Sequence, residues 1–298
     1  MTALIYSFLP ETYISTSVVT TLIRRKDPPY RMENEAKENP PVNVENDKVE
    51  AEVEEDEVPF IDLSDHFIKP DMFDGIHILD ETFEKIEGAP NFRQLSGFPV
   101  FGTGQPTEQA MVEIIKRAKT GKDEEKIIWF TMRQEPLVYV NGDPYAPRAP
   151  ENPHVNLEAK MDVQQIRSVD KHLAKVLKKR QEDSGNNTIV VHKDEEFAEN
   201  PMDRVDYEDT IEVKEIKNLD AVYDYCRKEC NVNLVVVRIP VQEDQMPTES
   251  IDAIIDILKD EPASTPCIFN CQMGKGRTTL GMVAATLVKE LMLTAELR

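Results

Sequence analysis

The sequence is short of cysteine, of positive charge and of long apolar runs, and each shortage removes a class of protein. Four cysteines in 298 residues, Cys226, Cys230, Cys267 and Cys271, are too few for a disulfide scaffold. Their spacing is not that of common zinc sites, so no metal or other cofactor is expected. The 35 Lys and Arg stand against 56 Asp and Glu, a net charge of −21. That balance argues against general nucleic-acid binding, and against anionic membranes without a local basic patch. No apolar run of the sequence approaches membrane-spanning length, so no transmembrane segment is expected. The opening residues lack the basic start and continuous apolar core of a signal peptide. Reduced cysteines point to a cytoplasmic location.

What the chain does have divides at about residue 58. Residues 1–58 read as an irregular N-terminal segment, its stretch from Glu33 to Glu57 rich in Glu, Asp, Asn and Pro and expected to be a disordered linker. Residues 59–298 read as one folded domain. Ile127–Phe130 and Leu234–Val237 are continuous apolar runs, typical of strands buried on both faces. Gly104-Gln105-Pro106-Thr107 opens a helix with Thr107 as its cap. Val163, Ile166, Val169, Leu173, Val176 and Leu177 mark a long amphipathic helix. Lys178, Lys179 and Arg180 suit that helix's C-terminal dipole. Strands alternating with helices imply an α/β fold, a mostly parallel central sheet flanked by helices.

The most informative stretch is Cys267-Ile268-Phe269-Asn270-Cys271-Gln272-Met273-Gly274-Lys275-Gly276-Arg277-Thr278. A short buried strand leads into a glycine-rich turn. Leu280, Val283, Ala284, Leu287 and Val288 then recur at helical spacing. Strand, tight loop and helix N-terminus make an anion-binding arrangement, with loop N–H groups and the helix dipole converging on one point. Gln272, Met273, Gly274, Lys275 and Gly276 are the candidate substrate-binding loop. A guanidinium at Arg277 can grip two phosphate oxygens at once. A thiol at Cys271 sits where positive potential favours the nucleophilic thiolate, and Thr278 can donate its hydroxyl to that sulfur. The sum is covalent catalysis on a phosphate monoester. A Walker A loop is excluded, because Gly276 follows Lys275 and no glycine stands five before Gly274. A plain structural turn is the bland alternative.

Ligands on such sheets bind beyond the carboxyl ends of strands. Asp244 falls at one such end, 27 residues before Cys271. A departing alkoxide needs a proton, and Asp244 is the candidate acid, with Glu243 its rival.

The loop resembles the signature of the cysteine-dependent phosphatase superfamily. Residues 59–298 as a whole look like a repeat of the paladin family, which is similar in turn to bacterial phosphatase-like phytases. The matching text is Ala89-Pro90-Asn91-Phe92-Arg93, Val100-Phe101-Gly102 with Gln105-Pro106, the run Thr131-Met132-Arg133-Gln134-Glu135-Pro136, Asn141-Gly142-Asp143-Pro144-Tyr145, and Asn270 through Thr279. The resemblance implies a dual-specificity-type α/β fold, a cytosolic location, and phosphoinositide or inositol-phosphate substrates. It makes Cys271 the nucleophile, Arg277 the clamp and Asp244 the acid, and matches Lys275 to a lysine of phosphoinositide phosphatase loops. Asn270 departs from the histidine that active members carry, which leaves a binding module without turnover as the alternative. Related folds also continue past the loop helix, so the domain is expected to be C-terminally incomplete. The apolar helix after Gly276 is then a candidate protein-binding surface.

Overall fold

The computed structural model describes residues 63–71, 85–121, 125–157, 161–195, 205–242 and 247–296. The N-terminal segment with its acidic linker, and both candidate acids Glu243 and Asp244, lie outside the described residues. The part described belongs to one compact unit.

Its sites hang on a five-stranded sheet built from β2 (Arg93–Gln94), β3 (Val100–Thr103), β4 (Lys126–Thr131), β10 (Asn233–Arg238) and β11 (Cys267–Asn270), in the order β10-β4-β11-β3-β2. β10, β4, β11 and β3 run parallel, and β2 closes the edge antiparallel. The apolar runs explain this. Ile127, Ile128, Trp129 and Phe130 are all fully buried, which only a sheet covered on both faces permits. One face packs Phe101, Trp129 and Ile268 against helices α1 (Glu108–Ala118) and α3 (Leu219–Cys230). On the other, Phe130 and Phe269 stack at 4.7 Å. There α5 (Gly276–Glu296) lies over β3 and β11 and packs against α4 (Thr248–Leu258).

The expectation of mostly parallel strands needs correction beyond this layer. A second sheet, β1-β6-β5-β9, is antiparallel throughout: β1 (Phe67–Pro70), β5 (Val138–Val140), β6 (Asp143–Arg148) and β9 (Ile216–Asn218). β7 (Thr188–Glu195) and β8 (Val205–Glu212) form a separate antiparallel ribbon. The reason is local. β5 and β6 are joined by Asn141 and Gly142 alone, at φ of 55° and 89°, and two residues can only reverse the chain, never carry it across for a parallel partner. The long helix α2 (Val163–Ser184) packs Ile166, Leu173 and Leu177 against this second sheet and the ribbon.

Two further expectations change. The basic run Lys178–Arg180 does not serve the helix end: α2 runs on to Ser184 and stops at Gly185 in the left-handed region. Arg180 instead donates to the carbonyls of Leu63, Ser64 and His66. And the span from Gly276 to Ala295 is, by length and composition alone, apolar enough to cross a membrane. In this fold it is a helix of the α/β layer. Lys289, 1 % exposed, donates from within it to the carbonyls of Ala263 and Thr265, and only its last turns expose large apolar side chains, Leu291 and Leu293.

Candidate active site

β11 ends at Asn270 and α5 begins at Gly276, so Cys271 to Lys275 form the loop at the carboxyl edge of the central sheet. Cys271 is 3 % exposed. Its sulfur accepts from the Gly274 backbone N–H at 3.3 Å and lies 3.1 Å from Thr278 Oγ1. Both groups are thus placed to donate hydrogen bonds to the sulfur. The Thr278 proton has a second acceptor, the Thr103 carbonyl at 3.2 Å.

Gly274 holds the turn. Its φ is +75°, and a Cβ there would stand 2.3 Å from the Gly104 nitrogen. Gly274→Ala is therefore expected to lower stability by at least about 1–3 kcal/mol from backbone strain alone. It should also displace the N–H that serves Cys271. Thermal unfolding measured beside anion binding checks this; an alanine variant equal to wild type in both would mean that the loop adapts.

The loop is clamped from behind by Asn91 and by Arg93, the first residue of β2. Asn91 Nδ2 donates to the Met273 carbonyl at 2.7 Å. Arg93 donates to the carbonyls of Asn91 and Gly274 and to Thr279 Oγ1. None of these three acceptors is a carboxylate, so the guanidinium adds positive potential under the loop. Burial lowers its pKa to about 10, against the opposing pull of a Cys271 thiolate.

Arg277 is 5 % exposed. Its Nη1 donates to Glu135 Oε1 at 2.9 Å and to the Val241 carbonyl at 3.0 Å. With Nη1 so engaged, the edge formed by Nε and Nη2 is the one left to meet two oxygens of an anion. Glu135 Oε2 lies 3.4 Å from Arg133 Nε. Arg133 donates onward to Asp71, which also faces Arg148 at 3.5 Å and accepts from Gln272 Nε2 at 2.9 Å. An alternating chain of buried charges thus runs from Arg277 back to Gln272, the residue next to Cys271. Burial works against charge on Arg133, but the attraction of Asp71 and Glu135 outweighs it and holds Arg133 above the ordinary arginine range. Burial likewise pushes Asp71 up, and Arg133 and Arg148 bring it below the ordinary carboxylate value.

The other loop residues divide by role. The Gln272 side chain turns away from Cys271 into a two-way amide pair with Asn156, at 2.6 and 2.9 Å. Met273 and Lys275 are half-buried, and Gly276 is exposed at the start of α5. Asn270 does not bond the loop: its Oδ1 accepts from Trp129 Nε1 at 2.8 Å and Thr131 Oγ1 at 3.0 Å, and its Nδ2 donates to Gln105 Oε1 at 3.0 Å. Residues that sequence reasoning gave no role here are Asp71, Asn91, Arg93, Gln105, Arg133, Glu135, Arg148 and Asn156. Asn91, Arg93, Gln105, Arg133 and Glu135 stood in the family-like text; Asp71, Arg148 and Asn156 carried no signal. A cavity of about 410 Å³ lies elsewhere, lined by Ser64, Phe67, Arg180 and His192 among others, and includes no loop residue.

A cysteine-bearing, glycine-rich loop on a parallel sheet, with its arginine and its Asn-Phe-Arg and Arg-Gln-Glu supports, defines a class. The family model described as PTPlike_phytase, inositol hexakisphosphate, matches residues 130–289, and the chain belongs to this family of phosphatase-like phytases. Within it, the chain is 29% identical over 245 residues to the paladin of Xenopus tropicalis, covering 75% of this chain and 26% of that protein. It is 30% identical over 223 residues to the paladin of Homo sapiens, 67% of this chain and 25% of that protein. The chain thus spans about a quarter of the length of these curated relatives. Its fold is similar to that of the PTP-like myo-inositol phosphatase of Mitsuokella multacida, solved with a myo-inositol tetrakisphosphate. That match has a TM-score of 0.50 at 16% identity, over 73% of this chain and 35% of that one.

Proposed function

We propose that this chain is a cysteine-dependent phosphomonoesterase acting on inositol phosphates or phosphoinositide headgroups through a phosphocysteine. The observation that carries the reading is the sulfur of Cys271, which has two hydrogen-bond donors within 3.3 Å and faces a helix N-terminus that also bears Arg277. The thiolate attacks phosphorus, the ester oxygen leaves with a proton, and water then hydrolyses the S–P bond, regenerating the thiol. Arg277 and the loop N–H groups hold the non-bridging oxygens as charge develops on them. Lys275 and Arg93 add positive potential suited to a polyphosphorylated ring. The free thiols suit a reducing, cytoplasmic setting. The test is phosphate release from a panel of inositol phosphates and phosphoinositides by the full chain; release from none of them would leave a module that binds phosphorylated ligands without turnover.

In this reading Asp244 supplies the proton to the leaving oxygen. Asp244→Asn is then expected to slow cleavage of alkyl phosphates by about 10²-fold or more, and of activated aryl phosphates far less, because only a basic leaving oxygen needs the proton. Equal losses on both substrates would move the role elsewhere, with Glu243 the next to try.

A further inference from the structure

One buried side chain that no phosphate would touch joins the two halves of the site. Gln105 follows β3 and is fully buried. Its backbone N–H donates to the Gln272 carbonyl at 2.8 Å. Its side-chain Oε1 accepts from Asn270 Nδ2 at 3.0 Å and from Arg133 Nη1 at 3.2 Å. Its Nε2 donates to the Tyr139 hydroxyl at 2.8 Å, which donates in turn to the Pro106 carbonyl at 2.8 Å. Toward the nucleophile the path is one residue long, since Asn270 immediately precedes Cys271. Toward the clamp it is two ion pairs long, Arg133 to Glu135 and Glu135 to Arg277.

We propose that Gln105 is a positioning residue that sets Cys271 and Arg277 relative to each other, and that Asn270 is the partner this arrangement requires rather than a degraded histidine. The catalytic half of this inference rests on the phosphatase reading above. The chemistry of the donors decides the second half. An amide oxygen takes two protons, and that of Asn270 takes those of Trp129 and Thr131 while its nitrogen donates to Gln105. A neutral imidazole at 270 offers one acceptor nitrogen, so one of those two donors loses its partner in a fully buried place. A protonated imidazole offers none and sets a cation against the Trp129 N–H.

The experiment compares the full-length wild type with Gln105→Met, Gln105→Glu and Asn270→His. Three quantities are read: turnover against pH, vanadate affinity, and the indole N–H resonance of Trp129, the chain's single tryptophan. Gln105→Met removes both acceptor contacts and should lower kcat by about 10²-fold with a smaller change in KM, as misplaced reacting groups do. Its vanadate affinity should fall by about tenfold and its indole resonance should move. Gln105→Glu keeps an acceptor for Asn270 and Arg133 and should recover to within about tenfold of wild type. Asn270→His should be slower than wild type and lose further activity below about pH 6.5, as the imidazole charges; wild type should lack that loss. The proposal is overturned if Gln105→Met keeps turnover and vanadate affinity within about threefold of wild type, if Gln105→Glu is no better than Met, or if Asn270→His is faster than wild type. If Gln105→Met does not fold, Gln105→Glu and Asn270→His decide: a Glu variant more than about tenfold below wild type, or a His variant faster than wild type, overturns the proposal. If wild type turns over nothing, the phosphatase reading fails alone, and vanadate affinity with the indole resonance still decides the positioning. Wild type that binds no vanadate would overturn both.

Discussion

Cys271→Ser is expected to reduce phosphate release by on the order of 10⁴-fold or more, the scale of losing a covalent nucleophile, while leaving the fold and anion binding in place. Serine is nearly isosteric, and the donors from Gly274 and Thr278 would still find an oxygen. The loss is chemical: a hydroxyl is far less ionised than a thiol, and the loop holds no general base against it. Within the loop the sulfur's described partners are donors only. The checks are single-turnover phosphate release and trapping of a phosphoenzyme after acid quench, on the same substrates. A serine variant that retains more than about one per cent of wild-type turnover would remove the phosphocysteine step, because nucleophile knockouts of this kind leave far less.

The second large effect is on stability. Asp71→Asn keeps the shape of the side chain and an acceptor for Gln272, and removes one negative charge from between two buried arginines. Arg133 and Asp71 are both fully buried. Breaking such a pair leaves an uncompensated charge and costs about 3–5 kcal/mol, which for a domain of this size is roughly 10 °C in Tm. The pH dependence has a definite sign. The folded-state pKa of Asp71 lies below its ordinary value of 3.8, so its contribution is present above about pH 4 and is lost as pH falls through the lowered value. Wild type and Asp71→Asn should therefore differ fully at neutral pH and converge in acid. Chemical denaturation at pH 7 and at about pH 3 measures both; a gap that stayed constant, or widened in acid, would show that the carboxylate is not what stabilises this cluster.

Much of the central layer was legible in the sequence for one physical reason. A strand buried on both faces must be apolar throughout, and Ile127–Phe130 and Cys267–Phe269 have no other good place to go. The loop was legible because its pattern is local: cysteine, glycines and arginine fall within seven residues. What could not be read was everything that depends on distant pairing. Glu135 and Arg277 are 142 positions apart, Asp71 and Gln272 are 201 apart, and nothing in either stretch names the other. Arg180 departs from its sequence pattern for a related reason. Its charge fits a helix end by pattern, while the carbonyls it serves, at Leu63 to His66, belong to a segment far away in the chain. The antiparallel second sheet has one short-range cause, the two-residue link Asn141-Gly142 between β5 and β6, but its other pairings join β1 and β9 to strands about 75 positions away, and no local pattern announces those.

The contact from Gln272 to Asp71 bridges two separately hydrogen-bonded layers. Asp71 stands just past the end of β1, the edge strand of the antiparallel sheet, whereas Gln272 follows β11 in the middle of the parallel one. Local opening takes less free energy at the periphery of a fold than in its core strands, and β1 pairs with a neighbour on one side only. When β1 frays, Arg133 loses its main counter-ion and the residue after Cys271 loses its anchor in the same event, so the thiol's surroundings and the sheet's edge form one cooperative unit. Occupancy of the loop and protection of that edge are then thermodynamically tied: a bound anion that favours the closed arrangement makes fraying rarer by the same free energy with which fraying weakens the anion's hold.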